Sequence, residues 1–559
     1  MRPAAASSSP SDGAVVRGGA LAFCARHYTR LAVLVLALAA FNLGFRLGDE
    51  VVTEWDESLY ATSAAEMVQN GDWIATTFLG QLDYYNTKPP LNVWMIALSF
   101  KAFGPSLVAL RLATVVSAWL TIAVLMWWTR RVWGEPVSLA AGVVLATAFG
   151  FFYVHSARNA NTDAVFALLV LTTVVVVWEA DTRPWVRAVV GPILAGVFLL
   201  RGMGVLMPLL FVIGYAVLGR RWGRWKPTAV AFVLFAIPVA AWVFARWQID
   251  RWAFLERLVW YDFLARSVSS LESHRARGWF YYPYILAKHQ YDWLFAAMMA
   301  LLLAGVGRRA PTAGDTPPQR DGHRLAALVG CWAGATLLIP SIMQTKLAWY
   351  LNPFYPLFAI GVGWAVVRAW ARMDMRSASR WRCAALAAAC VIALGVAEGR
   401  LVWYSFSHRS LTLSPQGLVI AERHRLRGHR VFHRGWNRGD RFVVDAVAGA
   451  EARDVNDIAA FWRHSRQGDF LLAWERIDHP ELSLVRSQQD RWLYERGAAR
   501  PPSAAPGQDP ADGPAGSERG PGLKNPDRRR HRPRHDRERP DGEALPGTRF
   551  DAARVRLPI

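Results

Sequence analysis

Two adjacent carboxylates, Asp56 and Glu57, open the stretch Trp55-Asp56-Glu57-Ser58-Leu59-Tyr60 just beyond the first long apolar block. Charges of this kind are costly against lipid, so the pair belongs at a wet edge. A carboxylate at the rim of an apolar cavity can accept a proton from an attacking hydroxyl. The same segment runs through Asn70-Gly71-Asp72-Trp73 to Tyr84-Tyr85-Asn86-Thr87-Lys88-Pro89-Pro90. Lys88 therefore shares that surface, where an ammonium can balance a phosphate. A plainer role stands beside this one: acidic residues in a first helical turn cap N–H groups and complement the dipole.

Such groups need elements to hold them, and the composition says which kind. Of 559 residues, 53% are hydrophobic, with 27 Trp and 27 Phe. The apolar residues gather in blocks such as Leu31–Phe45, Val137–Val154, Ala164–Trp178 and Met203–Leu218. Blocks of that length approach the roughly 20 residues a helix needs to cross hydrocarbon. The fold class expected is an all-α polytopic membrane protein with about eleven spans. They lie near 31–47, 107–128, 136–155, 163–179, 186–200, 203–218, 228–247, 290–306, 325–342, 350–367 and 383–399.

The formal net charge is +21. The basic residues sit in short clusters between apolar blocks, which is how cytoplasmic loops read, and no nucleic-acid motif accompanies them. Arg130 and Arg131, the group Arg220 to Lys226, the group Arg308 to Arg324 and the group Arg368 to Arg382 all fall on one side, with Arg17, Arg26 and Arg30. The segments 48–106, 156–162, 248–289 and 343–349, and everything after about 400, then lie on the extracytoplasmic side of a multi-pass inner (plasma) membrane protein. Their dense Trp and Tyr suit the headgroup region, and Asp56–Asn70 and Pro90–Phe103 read as interfacial helices. Met1–Arg30 with the following block reads as a cytoplasmic segment before an uncleaved first span, with a signal peptide as the other reading. The four cysteines, Cys24, Cys331, Cys383 and Cys390, lack metal-ligand spacing and read as packing residues.

Four regions follow: a cytoplasmic segment 1–30, a transmembrane domain 31–399, an extracytoplasmic domain 400–498 and a tail 499–559. Within the third, Phe442–Ala446, Asp457–Trp462 and Phe470–Trp474 suggest strand, helix and strand, hence a small α/β soluble domain. The tail is rich in Pro, Gly, Arg and Asp and reads as disordered.

Further markers follow along the chain. They are Arg158 with Thr162-Asp163, Gly202 after a span, His274 with Trp279-Phe280-Tyr281-Tyr282, and Thr345-Lys346-Leu347-Ala348-Trp349-Tyr350-Leu351-Asn352-Pro353-Phe354-Tyr355-Pro356. Together with the outer-loop motifs, from about residue 50 to about 370, they resemble the GT-C type superfamily of membrane glycosyltransferases. That superfamily uses polyisoprenyl-phosphate sugars and includes the lipid A aminoarabinose transferases and protein O-mannosyltransferases. The resemblance implies inverting transfer from a lipid-linked sugar, with Asp56 at the catalytic acidic position and Glu57 beside it. It also implies that Lys88, Arg201 and Lys346 fall near the carrier phosphate, aided by Tyr350, and that Tyr60, Arg158, Asp163 and His274 line the substrate site. Asp163 would hold Arg158 or face the cavity. A divalent metal shared with His274 occurs in the resemblance as an optional cofactor. Here Thr87 stands where some relatives carry an acidic residue, which removes a ligand, so no metal residues are assigned. Arg201 replaces a frequent lysine, keeping the charge and changing its geometry.

Each residue also has a plain reading. Lys346 and Arg201 can snorkel from helix ends, Tyr350 and Tyr355 can be belt residues, Asp163 can be a helix cap and His274 a loop histidine. Two other functional classes remain beside the transferase. A transporter or lipid flippase would place its charges near the midplane on broken, repeated helices. An assembly protein would use the polar C-terminal domain. The charges instead gather at one outer face without an internal repeat, and no glycine loop for a sugar nucleotide precedes a helix. The expected partners are a polyprenyl-phosphate-linked sugar, membrane lipids and a lipid, glycan or protein acceptor, with no nucleic acid.

Overall fold

The computed structural model describes residues 19–219, 225–260, 278–305, 319–374, 380–408 and 410–497. His274, the expected tail 499–559 and parts of the expected basic loops lie outside the described residues.

Backbone polar groups find no water in hydrocarbon, so the apolar blocks fold as helices. Among the described residues, seven helical segments are long and apolar enough to cross a membrane: Tyr28–Asp49, Leu107–Trp133, Pro184–Leu218, Trp225–Asp250, Gly322–Ile342, Ala348–Met373 and Arg380–Ser407. Their outward faces are apolar; on Trp225–Asp250, Phe232 and Phe244 are 68% and 62% exposed. The protein is accordingly a multi-pass membrane protein.

The blocks expected at 186–200 and 203–218 form one continuous segment, interrupted where Gly202 takes a φ of 55°. A Cβ there would stand 2.6 Å from Leu258 Cδ1, so glycine serves both the backbone conformation and the close approach. The blocks at 136–155, 163–179 and 290–306 are also helical, as Glu135–Ala146 with Phe149–Tyr153, Asp163–Glu179 and the latter part of Tyr281–Gly305. The last is kinked at Gln290, whose φ is −134°. Gly150 lets Tyr355 in: its missing Cβ would lie 1.8 Å from the phenol oxygen.

One end of the bundle carries Trp55–Asn70, ended by Gly71 in the left-handed region, and Leu91–Phe103, entered through Pro90. The two helices pack together around Ala61, Ala64, Val93, Ile96 and Ala97. A two-residue hairpin, Thr77–Phe78 with Gln81–Leu82, lies between them in sequence.

The C-terminal region is an α/β module around five strands. In spatial order they are Glu451–Asp454, Arg430–His433, Phe470–Ala473, Arg491–Arg496 and Leu482–Gln488. The first three are parallel and the last two run antiparallel to their neighbours. The expected helix and second strand appear as Ile458–His464 and Phe470–Ala473. The expected strand Phe442–Ala446 is instead helical, continuing Arg438–Phe442 as a π-turn over Val443–Val447. Its β-branched run suggested a strand, but Asn437 accepts from Asp440 N and starts a helix, and Phe442, Val443 and Val444 are all buried. The module meets the loop before Trp55 through Gln416. The Gln416 amide accepts from Val52 N at 2.7 Å and donates to Val52 O at 3.0 Å.

Candidate active site

Two buried arginines fix the loop that delivers Asp56. Arg111, inside the Leu107–Trp133 helix, donates to the carbonyls of Leu47, Glu50 and Val51 and to Glu57 Oε1 at 2.8 Å. Arg158, in the turn before Asp163, donates to the carbonyls of Asn42, Leu43 and Phe45 at the end of the first span. Its charge is met by Glu50, whose Oε1 also accepts from Ser405 and Tyr153 hydroxyls. Helix ends leave carbonyls without partners, and these guanidinium forks supply them where water is excluded.

On that frame a line of charged side chains crosses the end of the bundle. Lys88 Nζ lies 3.4 Å from Asp56 Oδ2. His155 Nε2 lies 3.6 Å from the same oxygen, and its Nδ1 is 3.1 Å from Asp163 Oδ2. Asp163 Oδ1 then meets Arg201 Nη1 at 3.0 Å. The sequence of groups is cation, carboxylate, imidazole, carboxylate, cation. Asp56 keeps 31% of its side chain exposed and Asp163 only 1%. Both ends of the line therefore present a positive charge, and the partly open carboxylate stands beside one of them.

The helix breaks explain why these groups converge. Asp56 and Asp163 lie at or near helix starts, and Arg201 ends its helix at the Gly202 break. Aromatic rings wall the line. The His155 ring stacks on Trp349 at 4.2 Å, and the Arg201 guanidinium lies over Phe166 at 4.8 Å and near the Tyr350 ring at 6.0 Å. Lys88 Nζ sits 5.5 Å above the Tyr60 ring. Burial pushes the Tyr60 phenol above its ordinary range, partly offset by Lys88, so this hydroxyl stays protonated.

Five expected site residues, Asp56, Lys88, Asp163, Arg201 and Tyr60, thus meet, and Tyr350 stands beside Arg201. Others take different places. Glu57 is sealed, accepting from Arg111, Ala160 N, and the Thr53 amide and hydroxyl. Arg158 is fully buried against Glu50 rather than Asp163. Lys346 is 7% exposed and donates to Met343 O at 2.6 Å, in the loop that leads to Tyr350. His274 lies outside the described residues, among which no group of three His, Cys, Asp or Glu side chains is arranged to hold a metal. Sequence reasoning passed over His155, Glu50 and Arg111. Arg111 is readable as a charge within an apolar span; a lone histidine at a span end carries no such signal.

A cleft of about 420 Å³ is lined by Thr62, Glu66 and Gln69 of the Trp55–Asn70 helix and by Arg438, Phe442 and Asp445 of the C-terminal module. Arg438 from the module projects between Trp55, Phe78 and Tyr85, its guanidinium 5.2, 5.8 and 5.4 Å from their ring centres. Trp55 and Tyr85 are both half exposed.

The family model described as dolichyl-phosphate-mannose-protein mannosyltransferase matches residues 87–244. An undecaprenyl phosphate-alpha-4-amino-4-deoxy-L-arabinose arabinosyl transferase of Pseudomonas aeruginosa is 30% identical over 347 residues, covering 60% of this chain and 59% of that protein. The chain thus spans about three fifths of the length of these curated relatives. Among solved structures, ArnT from Cupriavidus metallidurans bound to undecaprenyl phosphate superposes with a TM-score of 0.60 at 17% identity, over 84% of this chain and 99% of that one. Its apo state gives 0.58 at 16% identity, over 83% and 98%. The fold is shared.

Proposed function

We propose that this chain is a GT-C type membrane glycosyltransferase that moves a sugar from a polyprenyl-phosphate carrier to an acceptor hydroxyl or phosphate. The observation that carries this reading is the line from Lys88 to Arg201, a partly exposed carboxylate set among cations at one end of the helical bundle. The carrier's tail stays among the helices while its sugar phosphate meets that end. In the transfer, the acceptor oxygen attacks the anomeric carbon from the face opposite the phosphate. The bond from that carbon to the phosphate oxygen breaks, and its electron pair leaves with the phosphate. A hydroxyl acceptor's proton passes to Asp56; an ionised phosphate has none to give, and Asp56 then orients it and balances charge.

Lys88 and Arg201 favour this step by stabilising charge that grows on the departing phosphate. Tyr350, beside Arg201, would add to the same phosphate site, and Lys346 would join it by giving up its bond to Met343 O. Glu57 and Arg158 act by position: each buries a charge that fixes the loop bearing Asp56. Arg438 and its aromatic neighbours suit the acceptor side, since rings pack on sugar faces and a guanidinium pairs with anions. The face is extracytoplasmic, on the argument from arginine-bearing loops at the other end of the bundle.

Asp56→Asn tests the reading. It keeps size and most hydrogen bonding and removes the charge. Transfer from a lipid-linked sugar in nanodiscs is expected to fall about 10²–10⁴-fold with donor affinity retained. Full activity in a stable variant would sink the base assignment. Export of a labelled lipid without any transfer would favour a flippase instead.

A further inference from the structure

Between Asp56 and Asp163 stands a side chain that no motif assigns. We propose that His155 is a positioning residue that couples them, passing a proton to and from Asp56 according to the state of Asp163 and Arg201. This rests on the transfer reading above.

Four observations carry it. The imidazole has a carboxylate at each nitrogen, Asp163 at 3.1 Å and Asp56 at 3.6 Å. Its backbone sits at a φ of 58°, a left-handed conformation that bulky residues avoid unless the surroundings hold them. Trp349 stacks on the ring at an interplanar angle of 14°. Only 20% of the side chain is exposed.

A neutral imidazole donates from one nitrogen and accepts at the other, so it satisfies only one of two carboxylates. Protonated at both, it serves both. The groups facing the ring are Asp56 and Asp163, with Lys88 and Arg201 one contact further on and the Trp349 indole above. Arg201 also faces the place where a donor phosphate would sit. As a phosphate draws Arg201, the Asp163 charge is less compensated and pulls harder on the Nδ1 proton. That raises the ring's affinity for a proton at Nε2, so any proton on Asp56 passes to His155 and leaves the carboxylate ionised. After transfer the acceptor's proton rests on Asp56; as the phosphate leaves and Arg201 returns to Asp163, His155 releases its Nε2 proton to water and can take the next one from Asp56. Donor binding thereby readies the base.

The test uses the whole chain in nanodiscs with ¹⁵N-labelled histidine, reading the fraction of His155 protonated at both nitrogens at fixed pH. The signal is assigned by its loss in His155→Gln, or by the ring-current shift lost in Trp349→Leu. Asp163→Asn should lower the ratio of doubly to singly protonated ring about tenfold. Undecaprenyl phosphate should raise that ratio in the wild-type chain and leave it unmoved in Asp163→Asn. A ratio indifferent to Asp163→Asn, or a response to undecaprenyl phosphate that survives it, overturns the coupling. In the activity arm, His155→Gln should lower kcat about 10–100-fold while lipid-phosphate Kd stays within about twofold. Unchanged kcat also overturns it. The spectroscopic arm keeps His155 in place, so it reads out even if His155→Gln fails to fold. It also separates the two ideas: a chain that transfers no sugar yet shows the coupled imidazole defeats the transfer reading alone.

Discussion

Between Asp56 and Glu57, one step of about 100° around a helix separates a carboxylate on an ion-pair line from one enclosed by four donors. The two should respond differently to truncation. Glu57→Ala leaves Arg111 buried without its partner, a change expected to cost about 3–5 kcal/mol, so folded yield and Tm in detergent should collapse. Asp56→Ala should leave Tm nearly unchanged, because its side chain is partly solvated and Lys88 can turn to water. On the proposed reading, Lys88→Ala and Lys346→Ala should each weaken binding of a polyprenyl phosphate about tenfold or more, measured by calorimetry with the purified protein. A double variant that binds as tightly as wild type would remove these lysines from the donor site. Asp56, Lys88 and Arg201 were legible because a charge beside an apolar block is expensive and demands a reason. His155 was not, because its role comes from a stack and two carboxylates that lie far apart in sequence.

The helices of the first outer loop were legible to within a residue or two, since Pro90 and Gly71 punctuate them and small residues line one face. The strands of the C-terminal module were legible only in part. Strands as short as Arg430–His433 carry little periodicity, and at Phe442–Ala446 side-chain capping by Asn437 overrides β propensity. Close packing gives a test of the bundle itself. Gly150→Ala would drive a methyl into the Tyr355 phenol, an overpacking worth about 1–3 kcal/mol, and Tyr355→Leu in the same chain should recover part of the lost Tm. In the module, burial raises the Asp440 carboxyl to about 6, opposed by Gln416 and Ser414 and aided by Glu54. The native state therefore holds a proton that the unfolded chain releases between about pH 4 and 6. Stability from this group is present below that window and falls by on the order of 2 kcal/mol as pH rises through it. Protection factors for residues 415–454, corrected for intrinsic exchange, should be higher at pH 4.5 than at pH 7. Asp440→Asn should flatten that difference, and an undiminished difference would show that another group is responsible.

At the scale of the whole molecule, apolar blocks made the membrane class plain, while the boundaries of individual spans depended on breaks such as Gly202 and Gln290 that hydropathy does not mark. The arrangement of arginine-bearing loops predicts which end faces the cytoplasm. In a chain freed of its native cysteines, Trp222→Cys should react with an impermeant reagent only after permeabilisation, and Pro480→Cys without it. The reverse pattern would invert the orientation. The contact between Gln416 and Val52 bears on how this chain can be recombined. One side-chain amide stands in for a neighbouring strand, meeting both the N–H and the C=O of the residue that leads into the loop bearing Asp56, while its nitrogen also reaches Asp440. A chimera that joins this bundle to a relative's C-terminal module will place Asp56 correctly only if the graft brings a glutamine in register with Val52. Without it, the seam opens at the loop bearing Asp56.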